Sequence, residues 1–89
     1  MARLRFTSHL LRHRPVRALE APGDTVGAVI EAALADDPML RAYVLDDQGR
    51  ARKHIAIYLD GQPIRDKLRL SDACGPGAEI YVMQALSGG

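Results

Sequence analysis

Read along its 89 residues, the chain runs strand, strand, helix, strand, strand, strand. That order predicts an α+β fold with one main helix laid across a small mixed sheet. Three observations predict it. Val26, Val29, Ile30, Ala33 and Leu34 recur at helical spacing and make one apolar stripe. Apolar and polar residues alternate with a period of two near both ends of the chain and again from His54 to Leu59. The chain is also one small domain. At this length it removes only about 60–65% of its unfolded surface from water, enough for one core but not for a walled catalytic cleft.

The elements follow in order. In residues 2–8, Leu4 and Phe6 interleave with Arg3, Arg5 and Thr7, as in a half-buried strand. A basic bend from His9 to Pro15 leads to a second strand, Val16 to Ala21, closed by Pro22-Gly23, so the chain is expected to open with a hairpin. Asp24 is expected to cap the helix, because a carboxylate accepts from free N–H groups at the positive helix end. Asp36-Asp37-Pro38 is expected to stop it, since anions oppose the negative end and proline lacks the N–H. Pro38 is expected to open a short helical turn carrying Met39, Leu40 and Tyr43.

Tyr43-Val44-Leu45 reads as a third strand running into a polar loop, Asp46 to Lys53. Ile55, Ile57 and Leu59 alternate with His54, Ala56 and Tyr58 as a fourth strand, broken at Asp60-Gly61, a favoured tight-turn pair. Pro63 to Asp72 is a polar connector in which Ile64, Leu68 and Leu70 are expected to plug the core. Gly75-Pro76-Gly77 turns the chain into a last strand, Ala78 to Gln84, with Ile80 and Val82 on one face. This is the element order of the β-grasp, or ubiquitin-like, fold. Residues 1–85 are expected to form the domain and residues 86–89 a flexible tail.

Composition narrows the function classes. Apolar residues make up 47% and charged residues 26%, with a formal net charge of +1, so no overall pull toward nucleic acid or membrane is expected. No segment approaches the roughly 20 apolar residues of a membrane helix. The start, Met1 to Thr7, lacks a long apolar stretch, so no signal peptide is expected. The single cysteine, Cys74, permits no internal disulfide. A reducing, cytoplasmic setting is therefore expected.

Conventional catalysis finds little support. Cys74 lies between Ala73 and Gly75 with no neighbouring cation to lower its pKa, and is read as a small loop residue. His9 and His13 have the i, i+4 spacing of helical ligands but fall on a strand end and bend, and His54 adds no ligand spacing, so no metal is expected. Asp36-Asp37 and Asp46-Asp47 read as a helix stop and a loop, not as an acid/base pair. Gly75-Pro76-Gly77 lacks the Lys and Ser/Thr of a phosphate loop.

The end of the sequence is different. With glycine at about 7% of residues, two closing glycines arise by chance in roughly 0.5% of chains. Gly88 and Gly89 can enter a narrow crevice and adopt backbone conformations closed to other residues. Leu86, Ser87, Gly88 and Gly89 span at most about 13–14 Å, enough to thread a carboxylate into another protein's site. An α-carboxylate, with a pKa of about 3.3–3.7, is ionised and a poor electrophile until activated, for example as an acyl-adenylate. Taken alone, the glycine pair leaves a working end and a loose end equally open. Joined to the topology and to the strand just before it, it favours the working end.

Gly77-Ala78-Glu79-Ile80-Tyr81-Val82-Met83-Gln84-Ala85-Leu86-Ser87-Gly88-Gly89 resembles the closing segment of the MoaD/ThiS family, in which a Gly-Asp/Ala-Glu turn precedes the last strand and a short tail ends in Gly-Gly. Gly23-Asp24-Thr25-Val26-Gly27 resembles the start of that family's helix, and Ile57 to Gln62 its hairpin. The resemblance implies a sulfur carrier that is not itself an enzyme. It implies that Gly89 is adenylated by a partner similar to ubiquitin-activating enzymes, which uses ATP and magnesium. The adenylate then becomes a thiocarboxylate at the expense of a sulfurtransferase or sulfide source, and a biosynthetic enzyme receives the sulfur. Recipient pathways in the family include cysteine, molybdopterin and thiamin thiazole. The Asp46–Lys53 loop and the Leu11-Arg12-His13 bend are more similar to carriers serving cysteine synthesis. The Phe-Phe-Pro-Pro run common before the tail of molybdopterin carriers is replaced by Val82-Met83-Gln84-Ala85.

Tyr58, Tyr81 and Met83 share parity away from Ile57, Ile80 and Val82. They are expected on the open sheet face, either as a partner-docking patch or as ordinary surface that extends the core. Leu86 stands beside the reactive end. Arg12–Arg17 and Arg50–Lys53 are basic clusters, read as solvated faces or as steering charge for an acidic partner. Two other functions remain open on the sequence: a protein modifier joined through Gly89 to lysines, and a plain ubiquitin-like binding module.

Overall fold

In the computed structural model, which describes residues 1–6 and 18–84, five strands form one mixed sheet that two helices cover on a single face. The elements are β1 (Ala2–Phe6), β2 (Leu19–Ala21), α1 (Val26–Ala33), α2 (Pro38–Val44), β3 (Ile55–Leu59), β4 (Gln62–Pro63) and β5 (Glu79–Gln84), and the spatial order of the strands is β2-β1-β5-β3-β4. β1 and β2 pair antiparallel, with Ala2 opposite Ala21 and Leu4 opposite Leu19, which is the expected opening hairpin. β5 lies in the centre, parallel to β1 (Leu4 opposite Ile80) and antiparallel to β3 (Ile57 opposite Val82). This is the β-grasp arrangement.

The period-two pattern explains the packing. Ala2, Leu4 and Phe6 of β1, Ile55 and Ile57 of β3, and Ile80 and Val82 of β5 face the helices and are buried. Val26, Val29 and Ile30 of α1, with Leu34 just beyond it, close the other side of that core. Burying each of the Val, Leu, Ile and Phe side chains contributes about 1.5–3 kcal/mol. Gly27 lets α1 approach the 69–70 segment closely, because a Cβ there would stand 3.2 Å from Leu70 Cβ and 3.3 Å from the Leu70 carbonyl. That approach meets a need of the helix. The otherwise orphaned first-turn N–H groups of Val26 and Gly27 donate to the carbonyls of Asp72 and Leu70 at 3.0 and 2.9 Å.

Several expectations are corrected. The helix cap is Thr25, not Asp24: the Thr25 hydroxyl accepts from Ala28 N–H at 3.2 Å, while Asp24 contributes its carbonyl to Cys74 N–H at 2.8 Å. α1 ends at Ala33, and the chain turns through residues 34–36, so the helix stops before the Asp36-Asp37-Pro38 run expected to end it. Asp37 instead starts α2, its carboxylate accepting from Leu40 N–H at 3.2 Å with Pro38 in the first turn. The short helical turn expected to open at Pro38 is present, as a helix of seven residues. Tyr43-Val44-Leu45 is therefore no strand. Leu40 and Val44, four apart, are buried together on one helix face, and Leu45 makes only an isolated bridge to Ala51. The missing strand is β4, immediately after the Asp60-Gly61 turn. Ile64 and Leu70 plug the core as expected, but Leu68 is 67% exposed. Thr7, Ser8, Val16 and Arg17, expected at strand ends, lie outside the described residues.

Three polar clasps hold the periphery. Arg41 of α2 grips Glu31 of α1 through Nε and a terminal nitrogen at 2.6 and 2.8 Å. Asp46 closes its own loop by accepting from the N–H groups of Gln48 and Arg50 at 2.8 and 2.9 Å. Asp72 accepts from the N–H groups of Arg65 and Asp66, both at 2.8 Å, and so folds the connector before β5.

Candidate functional site

The working end expected from the sequence is rooted in the best-supported strand of the sheet. β5 is hydrogen-bonded on both sides and ends at Gln84, opposite Ile55. Leu86, Ser87, Gly88 and Gly89 lie outside the described residues. Five residues, 85–89, span at most about 17–18 Å from that root. That radius takes in the surface around the end of β5.

The open face of the sheet, opposite the helices, brings together the three residues expected there. Tyr58 of β3 stands directly opposite Tyr81 of β5, and Met83 follows on the same side of the strand, opposite Ala56. Tyr81 is 41% exposed, and Tyr58 and Met83 are half-buried. A shallow hollow of about 480 Å³ lies over them, with Arg5, Asp60 and Glu79 on its margin. The Arg5 guanidinium lies 3.7 Å from the Glu79 carboxylate, an exposed pair that orders the margin more than it stabilises the fold. The result is an apolar strip framed by charges of both signs.

Arg5 and Asp60 were not singled out on the sequence. Their part in this margin follows from the parallel pairing of Arg5 with Tyr81 and from the contact of Asp60 with Glu79 across 19 residues. Neither relation leaves a local signal.

The other candidates are placed as follows. Cys74 is half-buried, and its thiol is pushed up from its ordinary pKa by burial first and then by the nearby carboxylates of Asp60 and Asp72. A thiol held protonated is a poor nucleophile. His54 packs edge-on against Tyr43, ring centroids 4.9 Å apart. His9, His13 and the Arg12–Arg17 cluster lie outside the described residues. Among the described residues no three His, Cys, Asp or Glu side chains are grouped to hold a metal ion, and no helix is long and apolar enough to cross a membrane.

The sequence model of the ThiS family matches residues 11–89, which covers both helices, four of the strands and the closing glycines. The chain belongs to the ThiS family. No curated protein matches the chain by sequence. Solved structures similar to this ThiS-family chain include SAMP1 from Haloferax volcanii, 25% identical over 99% of this chain and 98% of that one, with a TM-score of 0.76. The Amycolatopsis orientalis BexX/CysO complex contains a chain 19% identical, covering 100% of both chains, with a TM-score of 0.82. Mycobacterium tuberculosis CysO, described as an antigen, is 22% identical over 97% of this chain and 100% of that one, with a TM-score of 0.80. The last two likenesses are of fold.

Proposed function

We propose that this ThiS-family chain is a sulfur carrier that acts as a protein co-substrate, with the Gly89 carboxylate as its reacting group. In this reading a carboxylate oxygen of Gly89 attacks the α-phosphorus of ATP in a partner enzyme, and pyrophosphate leaves. Sulfide then attacks the acyl carbon and AMP leaves; where the terminal sulfur of a sulfurtransferase persulfide attacks instead, the acyl disulfide that forms is cleaved by a thiol reductant, which is oxidised to its disulfide. The product is a thiocarboxylate, which passes its sulfur to a biosynthetic enzyme and returns as the carboxylate. ATP and magnesium belong to the partner. The chain supplies an unhindered acyl end, a fixed root for it in β5, and the Tyr58–Tyr81–Met83 strip as the surface on which the partner sits.

The observation that carries this reading is the family match through Gly88-Gly89, five residues beyond a central strand. The cysteine-synthesis type of recipient is the one favoured, on the long Asp46–Lys53 loop and on the shared fold with CysO proteins, one of which is solved in complex with BexX. The test is direct. Incubated with ATP and the adenylating enzymes of the same cell, the chain is expected to release pyrophosphate, and a chain lacking Gly88-Gly89 is not. Loss of that difference refutes the reading.

A second reading has a specific observation in its favour. The likeness to a small archaeal modifier protein suggests conjugation through Gly89 to lysines. Both readings share activation and part at the acceptor. Intact-mass measurement of protein from its native host distinguishes them. A species about 16 Da heavier marks oxygen replaced by sulfur, whereas a ladder of heavy conjugates marks the modifier.

A further inference from the structure

We propose that the groove along the outer edge of β3 binds an extended, acidic segment of a partner protein, which adds as a strand beside Ile55–Ile57. This goes beyond the carrier reading and stands without it.

The edge is only half covered. β3 has five residues, but β4 has two and pairs only with Tyr58 and Leu59; one further bond runs from Ile64 N–H to the Ile57 carbonyl at 3.1 Å. Among the described residues, no strand lies outside the first half of β3; there the Ile55 N–H donates to the Arg52 carbonyl at 2.9 Å, so the Ile55 carbonyl and the Ile57 N–H are the outward groups left for a partner's ladder. A groove of about 420 Å³ runs there, floored by Ala51, Ala56, Ile57, Pro63 and Ile64. Extended peptides bind such edges by completing the ladder, while alternate side chains settle into the apolar floor.

Charge selects the occupant. Arg52, Lys53 and Lys67 also line the groove, no carboxylate does, and these two lysines are the only ones in the sequence. The ion pairs found among the described residues are Arg5–Glu79, Arg41–Glu31 and Arg50–Asp46, and none involves these three cations. The Arg52 guanidinium spends one donor on the Ala42 carbonyl, at 2.5 Å, which holds it in place without neutralising it. Three like charges along an edge repel a second copy of the same edge. The same charges attract a segment of opposite sign and fix its register. A nucleic-acid backbone would feel the attraction but cannot complete a backbone ladder.

Position gives the groove its use. Ile55 pairs with Gln84, so the groove begins where β5 hands over to the last five residues of the chain. A partner that grasps those residues has the groove within reach of the same surface.

The test is a titration of the full-length, isotope-labelled chain. The probe is a capped peptide of about eight residues alternating valine with aspartate or glutamate, a typical strand length. A lysine-for-acid version and a single-stranded oligonucleotide serve as comparisons. The acidic peptide is expected to shift the amide resonances of Ile55, Ala56 and Ile57, with affinity falling as salt is raised. The double variant Lys53→Glu, Lys67→Glu is expected to bind about tenfold more weakly or worse while the rest of its spectrum is unchanged. Should that variant misfold, Lys53→Ala with Lys67→Ala serves the same purpose. The proposal is overturned if millimolar acidic peptide leaves these amides unmoved. Shifts confined to the Tyr58–Tyr81 face, equal binding of the basic peptide, or a response to the oligonucleotide alone also overturn it.

Discussion

Asp60 and Glu79 exchange two hydrogen bonds across the sheet: the Asp60 N–H donates to the Glu79 carbonyl at 2.8 Å, and the Asp60 carboxylate accepts from the Glu79 N–H at 2.9 Å. One residue thus ties the β3–β4 turn to the first residue of β5. Asp60 and Gly61 both have positive φ, 51° and 85°, as a tight two-residue hairpin loop requires. Aspartate tolerates that region better than alanine does. Asp60→Ala therefore loses an acceptor and adds backbone strain, and is expected to cost about 1–2 kcal/mol. Asp60→Asn keeps an acceptor oxygen and the backbone tolerance, and is expected to cost less than half as much. Urea midpoints of the two variants check the order.

The cap of α1 gives a second contrast. Thr25→Ala removes the hydroxyl that accepts from Ala28 N–H and is expected to cost about 1 kcal/mol. Asp24→Ala leaves its carbonyl bond to Cys74 in place and is expected to cost no more than about 0.5 kcal/mol. Equal losses in thermal unfolding would return the cap to Asp24.

Leu68 and Leu70, two residues apart, are expected to differ as surface and core differ. Leu70 is fully buried, so Leu70→Ala is expected to cost about 2–5 kcal/mol. Leu68→Ala is expected to stay within about 0.5 kcal/mol of the parent. Denaturant unfolding of both variants measures the difference.

The same connector predicts acid sensitivity. The Ser71 hydroxyl and the Arg69 N–H hold the Asp66 carboxyl below the usual carboxylate range, and the N–H groups of Arg65 and Asp66 do the same for Asp72. A depressed folded-state pKa means that the charged form stabilises the fold. That contribution is complete above the unfolded value, about 3.9, and is lost as pH falls through the lower folded values. Stability is therefore expected to drop as pH is taken from about 5 toward 2. Asp72→Asn is expected to lower stability at pH 7 and flatten that drop. An unchanged slope in the variant would remove Asp72 from the account.

The open face makes a functional prediction. Tyr81→Ala is expected to cost the fold about 1 kcal/mol or less, the worth of its cross-strand contact with Tyr58. In the proposed activation step it is expected to lower kcat/KM by about tenfold, as loss of an exposed aromatic anchor does. Leu68→Ala, away from that strip, is expected to leave kcat/KM unchanged. A pyrophosphate-release assay compares the two.

Elements with a strong period were legible in the sequence. The stripe from Val26 to Leu34 gave α1, and the alternation around Leu4, Ile57 and Ile80 gave β1, β3 and β5 and the parity that puts Tyr58, Tyr81 and Met83 on one face. Tyr43-Val44-Leu45 misled because its residues favour strands locally. The deciding signal was the four-residue spacing of Leu40 and Val44 behind an Asp-Pro start, and packing overrode propensity there. β4 has two residues, too few to carry any period. In the irregular connector no period tells Leu68 from Leu70. Of the candidate site, Gly88-Gly89 could be read directly. Its margin could not, because Arg5 and Asp60 join it through contacts distant in sequence.

The central place of β5 also has a mechanical meaning. A pull on the chain beyond Gln84, directed along the strand, loads the ladders to β1 and β3 together and in shear, so their bonds must fail as a group. A pull on a border strand would open its single ladder like a zipper, one bond at a time. A partner can therefore tug on this end, or brace against it, while the rest of the molecule keeps its shape.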